Sequence, residues 1–248
     1  MRRASRLVPA LCLFTGEEVI RGRYKFFAAL LSAVSIVEIL RVVRGPPSQT
    51  EGLGAFFIVG LWVVAGPLCR SWMDEDIRLG YAAFWLQKPL KPFDYYLARL
   101  VSAVVWSGVS AIAVCLAALP GFVAAGDFQG LAHLALGAGW IPTLLVVLSF
   151  LGSSLGARNG GLFAYAMLLV GFALPGFADA VWLGPGRDVL EVIFPPASAG
   201  LLSVNTIRSY GVAAGVAQLL PIALYTFVCA VLGLLLALGV PSRLMRAL

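Results

Sequence analysis

Residues Leu219–Val240 read LLPIALYTFVCAVLGLLLALGV, an apolar run without one Asp, Glu, Lys or Arg. The hydrocarbon core of a bilayer is ~30 Å thick and a helix rises ~1.5 Å per residue, so about 20 such residues cross it once. Five further stretches meet the same test: approximately Phe26–Val43, Leu53–Cys69, Leu97–Leu119, Leu131–Leu151 and Gly161–Trp182. The first is interrupted at its far end by Glu38 and Arg41. The second is short and carries Gly60, Gly66 and Pro67, which predicts a bend. The expected fold is all-α integral membrane, with six transmembrane helices in one domain over residues 1–248.

Composition agrees. The 248 residues are 60% hydrophobic and only 12% charged, with mean hydropathy +0.94, whereas a soluble domain is about 45–50% apolar and about 25% charged. An ordinary cytosolic enzyme, a disordered tail and a nucleic-acid-binding domain are excluded. The formal net charge of +6 is better explained by orientation in a bilayer than by a polyanionic partner, because basic residues gather on the cytoplasmic side. With the N-terminus inside, only Arg41, Arg44, Arg187 and Arg208 of the 18 Lys and Arg fall outside. The expected arrangement is therefore N-in and C-in, in a plasma (inner) membrane.

Small counts remove other chemistry. None of the four cysteines has a second at CxxC spacing, so neither a zinc site nor a redox motif is expected. His133 is the one histidine and opens an apolar run, which suits an interfacial side chain better than a catalytic base or metal ligand. No GxxxxGK[ST] occurs, so ATP phosphates cannot be cradled here and a separate subunit must supply that site if ATP is used. Arg2, Arg3 and Arg6 precede an apolar run that Pro9 interrupts, and no small-x-small cleavage site follows; the segment is expected to be retained.

Two connections are long. The outer link between spans five and six covers about Leu183 to Gln218, and the inner link between spans two and three covers Arg70 to Tyr96. In the inner link Asp74, Glu75 and Asp76 suit a helix N-terminus. Leu79, Ala83, Phe84 and Leu86 form an apolar stripe, and Pro89 and Pro92 are expected to break the helix before span three. A short amphipathic helix on the cytoplasmic face results. It either lies on lipid headgroups or is presented to a protein partner.

This link resembles that of the ABC-2 type permeases, the membrane subunits of ATP-binding-cassette exporters. Asp76 lies four residues before Gly80, Pro89 nine after it and Arg99 ten after Pro89, close to the family spacing. Tyr81-Ala82 stand where Thr-Leu is usual, and Arg99 where a Lys opens span three. Residues 5–23, with Leu7, Leu11 and Phe14 on one face, look like the family's N-terminal amphipathic elbow helix. Phe194-Pro195-Pro196 with Ala197–Asn205 looks like its outer re-entrant helices before span six. The resemblance covers nearly the whole chain.

It implies a coupling helix docked on a cytoplasmic ATPase through Asp74, Glu75, Asp76, Arg78, Gly80, Phe84, Lys88, Pro89 and Lys91. It also implies two permease copies, identical or related, with ATP and Mg bound by the partner ATPase rather than by this chain. Arg158 and Asn159, in the inner turn between spans four and five, are a second candidate contact. Glu38 and Asp179 either line a polar path or reach the outer interface, since facing lipid is costly; Arg41 offers Glu38 a local ion pair. Gly152, Gly156 and Gly160 recur every fourth residue and permit close helix approach.

The leading expectation is a transport permease that performs no covalent chemistry and exports a hydrophobic or amphipathic substrate. A non-transporting scaffold or accessory subunit is the main alternative. An intramembrane enzyme is weaker, since Asp179 has no intramembrane Asp partner and His133 no evident Ser. A secondary transporter remains, though no half-to-half similarity is visible.

Overall fold

The structure, a computed structural model, describes residues 91–157, 159–180, 192–196 and 212–239, together with Pro9, Ala10, Ile36, Leu40, Leu190 and Tyr210. Its helices are α1 (Pro92–Ala125), α2 (Phe128–Leu155), α3 (Gly160–Ala180), α4 (Val212–Gln218) and α5 (Leu220–Ala237). No strand occurs among the described residues. α1, α2 and the nearly continuous α4–α5 pair are long and apolar enough to cross a membrane. The chain is thus a helical, membrane-embedded protein, and α1, α2, α3 and α5 fall where spans three to six are expected.

The helix ends follow from local chemistry that hydropathy does not report. Lys91 is extended (φ −72°, ψ 138°) and Pro92 is the first helical residue, where a missing N–H costs nothing and the ring pre-sets φ. Pro92 therefore opens span three, while the link helix expected ahead of Pro89 lies outside the described residues, and Asp94 complements the dipole in the first turn. Arg99, expected at the opening of the span, lies about two turns inside it and is 7% exposed.

At the far end Gly126 (φ 68°) caps α1, with its own N–H on the Val123 carbonyl at 3.1 Å and the Asp127 N–H on the Phe122 carbonyl at 3.0 Å. Asp127 then caps α2, its Oδ1 accepting from the Gly130 N–H at 2.7 Å. The second turn repeats the scheme. Gly156 (φ 94°) ends α2, and Asn159 caps α3 through Oδ1, which accepts from the Leu162 N–H at 3.1 Å. Two such tight turns make α1, α2 and α3 successive antiparallel hairpins.

The three-glycine repeat divides its labour. A Cβ on Gly152 would stand 2.6 Å from Phe163 of α3, and one on Gly160 would stand 2.5 Å from both the Ser149 carbonyl and the Ser153 hydroxyl of α2. Those two positions permit close approach, as expected. Gly156 instead supplies the left-handed cap.

α2 is the central helix, packed against α1, α3 and α5. Its stretch of Leu144, Leu145, Val146, Val147 and Leu148 is buried on all sides, as a helix apolar all round should be. α1 and α5 instead keep an outward stripe: Val101, Val105, Val109, Ile112 and Leu116 on the one, Leu220, Leu224, Phe227 and Leu235 on the other. α5 runs parallel to α2. Gly233 of α5 sits on Phe150 of α2, while the earlier α5 residues Leu219 to Ala230 border the same cleft as Ala135 to Val147. Parallel α2 and α5 are what two crossings in the same direction, with α3 between them, require.

Candidate functional site

Contacts between neighbouring helices fix which residues lie at one height. Ser107 of α1 and Thr143 of α2 share a hydrogen bond at 3.2 Å. Gly160 of α3 touches Ser149 and Ser153, and Gly233 of α5 touches Phe150. Counting back along each helix from these pairs brings Ser107, Pro142, Thr143, Gly171 and Tyr225 to the same level. That level is the midpoint of α2, ~16 Å from the start of α3 at ~1.5 Å per residue. The middle of the bundle is therefore a layer of hydroxyls, glycine and proline in otherwise apolar helices.

A stretch of non-helical backbone enters this layer. Val192 and Ile193 are helical, Phe194 bends, and Pro195 and Pro196 are irregular. The Phe194 N–H donates to the Leu190 carbonyl at 2.9 Å. The Tyr225 hydroxyl of α5 donates to the Ile193 carbonyl at 2.7 Å. The Pro195 carbonyl lies against the Cα of Gly171 in α3, so close that a Cβ there would collide with it. Irregular backbone at membrane depth is tolerated only where its polar groups are satisfied or face a cavity. Here the two prolines have no N–H to satisfy, and Tyr225 satisfies the Ile193 carbonyl.

The same layer breaks the helices themselves. Pro142 lies inside α2 and cannot donate to the carbonyl one turn earlier, which loosens the helix there. At the head of α5 the Leu219 N–H turns back to the Val216 carbonyl at 3.0 Å, and Pro221 follows; this bend separates α4 from α5.

Beside the layer, between α1, α2 and α5, runs a cleft of about 650 Å³ open to one side. Val104, Val105, Trp140 and Phe227 border it, with Gly139 at its floor, where a Cβ would meet nothing within 4 Å. Its two hydroxyls are committed to their own helices, Thr143 to the Gly139 carbonyl at 2.9 Å and Thr226 to the Ile222 carbonyl at 2.7 Å. The cleft is thus lined mainly by apolar side chains, with Thr143, Thr226 and Trp140 as its polar-bearing residues. A second polar group, Arg99 with Ser102, Ser149, Ser153 and Ser154, is buried toward the Lys91 end. Tyr95 and Tyr96 pack there edge to face at 5.1 Å.

Of the residues singled out in the sequence, Lys91 is exposed at the mouth of α1 and Asn159 is exposed as the cap of α3. Asp179 belongs to the last turn of α3. Asp74, Glu75, Asp76, Arg78, Gly80, Phe84, Lys88, Pro89, Arg158 and Glu38, with the elbow and spans one and two apart from Pro9, Ala10, Ile36 and Leu40, lie outside the described residues. Lys91 and Asn159 both lie at the end of the bundle where α1 starts and α2 stops. The mid-bundle residues Ser107, Gly171 and Tyr225 were not expected. Their one sequence signal is Tyr225-Thr226, a hydroxyl pair inside an apolar run, alongside the Pro195-Pro196 step.

No protein-family model and no curated protein matches this chain.

Proposed function

We propose that this chain is the membrane-spanning permease subunit of an ATP-binding-cassette exporter, forming the translocation path for a hydrophobic or amphipathic substrate. The observation that carries the reading is the inner link: acidic residues, Gly80, Pro89 and then a rigid helix at fixed spacing. ATP is bound and hydrolysed in a separate cytoplasmic ATPase that grips the Asp74–Lys91 stretch, and two permease copies enclose the path. The excess of Lys and Arg in the segments assigned to the Lys91 side supports placing that side in the cytoplasm.

The geometry of α1 supports the coupling role. Lys91 is extended and Pro92 begins a 34-residue helix whose one internal proline, Pro120, lies near its far end, so displacement of the link would be passed directly to most of that helix. The cleft supports a greasy cargo, since aliphatic and aromatic side chains make up most of its wall. A second reading, a carrier driven by a gradient without any ATPase, is favoured by the irregular backbone at mid-bundle, a feature typical of such sites.

One experiment separates the two. Tagged chain is purified in mild detergent and its co-purifying polypeptides are identified. A cassette ATPase recovered in fixed ratio is the expected outcome. Its consistent absence, with transport retained after ATP depletion, rejects the exporter and leaves the carrier.

A further inference from the structure

We propose that the cleft between α1, α2 and α5 is a lipid slot, which takes one hydrocarbon chain of a bilayer lipid sideways from the surrounding membrane.

The place where the cleft opens excludes an aqueous ligand. Val101 and Val105 of α1 and Phe227 of α5 border it and also belong to the outward apolar stripes of their helices, with Phe227 67% exposed. Its mouth is therefore on the lipid-facing side of the bundle. Thr143, at the midpoint of α2, stands in its wall, which runs from Ala135 to Val147 of α2 and from Leu219 to Ala230 of α5. That is a length of ~18 Å at ~1.5 Å per residue, shorter than the ~30 Å of the hydrocarbon core. None of its described lining residues is ionisable, and a cavity lined this way stays dry.

Size and direction then select a chain over a helix. A helix is ~10–12 Å across with its side chains, so ~18 Å of one fills about 1,400 Å³ or more. The cleft holds about 650 Å³, which lies within the ~300–1,000 Å³ of small-ligand sites. A membrane span of a second copy is too thick to be seated in it. The slot also follows the helix axes, the direction in which lipid chains lie.

The floor sets the fit. The contact of Gly233 with Phe150 brings Gly139 of α2 to the height of Ile222 and Ala223 of α5, and a Cβ on Gly139 would meet nothing within 4 Å. Left empty, such a space forfeits the dispersion contacts that methylene groups supply. Lipid tails are as apolar as the wall, so no hydrophobic gain separates the slot from the rest of the bilayer. Retention depends on shape, and filling the floor should abolish it.

The test uses the full chain in phosphatidylcholine vesicles that contain a small share of the same lipid with a diazirine in one chain. After illumination the labelled residues are mapped by mass spectrometry. Labelling of Val104, Thr143 and Thr226 is expected to exceed that of Ile112 and Leu235, which lie on the outward stripes away from the cleft. Gly139→Leu is expected to remove most of that excess and to leave the stripes labelled as before. Ala223→Leu fills the same level from α5 and is the readout if the first variant does not reach the membrane.

Equal labelling of cleft and stripes overturns the slot, because that is contact with passing lipid only. An excess indifferent to the filling variant overturns it too, and an unlabelled cleft shows another occupant. Use of the slot as a side port for a chain-bearing cargo rests on the transport reading above. The labelling needs neither ATP nor cargo, so its failure is distinct from failure to recover an ATPase.

Discussion

Replacing Gly233 by alanine tests the packing of α5 on α2. A Cβ at this position would stand 2.8 Å from Cδ1 and 3.0 Å from Cε1 of Phe150, with the Leu151 Cα at 3.5 Å. The Leu151 distance is ordinary contact, so the whole cost falls on the Phe150 ring. That ring is fully buried and cannot swing aside without displacing neighbours on the central helix. Overpacking of this kind costs about 1–3 kcal/mol, and alanine's helix preference over glycine returns about 1 kcal/mol. The net expectation is a loss of about 1 kcal/mol, or a fall in thermal midpoint of about 2–4 °C for a chain of this size. The measurement is the midpoint of the detergent-solubilised protein, followed by size-exclusion after heating. Gly108→Ala is the internal control, since a Cβ there meets nothing within 4 Å and the midpoint should hold or rise. Phe150→Leu combined with Gly233→Ala should recover part of the combined single-mutant losses, because the two changes share one space. A Gly233→Ala midpoint at or above that of the parent would refute the reasoning.

Three further outcomes are expected. Asp127→Ala removes the cap that holds the Gly130 N–H and should lower stability by about 1 kcal/mol, read as the same midpoint shift; no shift would mean that the α1–α2 turn is fixed without it. Ser107→Ala and Thr143→Val in a double-mutant cycle should show coupling of about 0.6 kcal/mol, measured by unfolding in mixed micelles, since their 3.2 Å contact links α1 to α2 at mid-height. Replacing Glu75 and Arg78 together should leave membrane insertion intact while separating ATP hydrolysis in the complex from export; unchanged transport would remove the coupling assignment from that link.

The parts of the fold legible in the sequence are those that depend on one segment at a time. Length and hydropathy locate α1, α2 and α5 because each is long and apolar enough to cross the hydrocarbon, and hydropathy alone locates the shorter apolar α3. Their ends are less visible. Pro92 reads as a breaker because proline is costly inside a helix, yet at the first position it is favourable, and the extended Lys91 before it marks where the span starts. Gly156 reads as part of a packing stripe because spacing by four presumes that the helix continues. Its φ of 94° shows that the helix has stopped. The mid-bundle layer is invisible for a different reason: Ser107, Gly171 and Tyr225 lie on three helices far apart in sequence, and nothing local marks Gly171 as the seat of Pro195. Pro195-Pro196 is legible as a break, but its depth is set by tertiary contact.

The position of α5 joins these observations. One side of the helix packs on α2 through Gly233 and Phe150, a second meets the Ile193 carbonyl through Tyr225, and a third borders the cleft that separates it from Val104 and Val105 of α1. Dense packing on α2 resists tilting there, because interiors at crystal-like density do not deform continuously. The cleft side offers no such resistance, since the space above Gly139 is open. Displacement of α5 toward α1 therefore meets less packed resistance than displacement toward α2. Under the permease reading, α1 is the helix that the cytoplasmic link moves. Driving α1 and α5 together would then narrow the cleft and squeeze out an apolar cargo, with α2 as the fixed post.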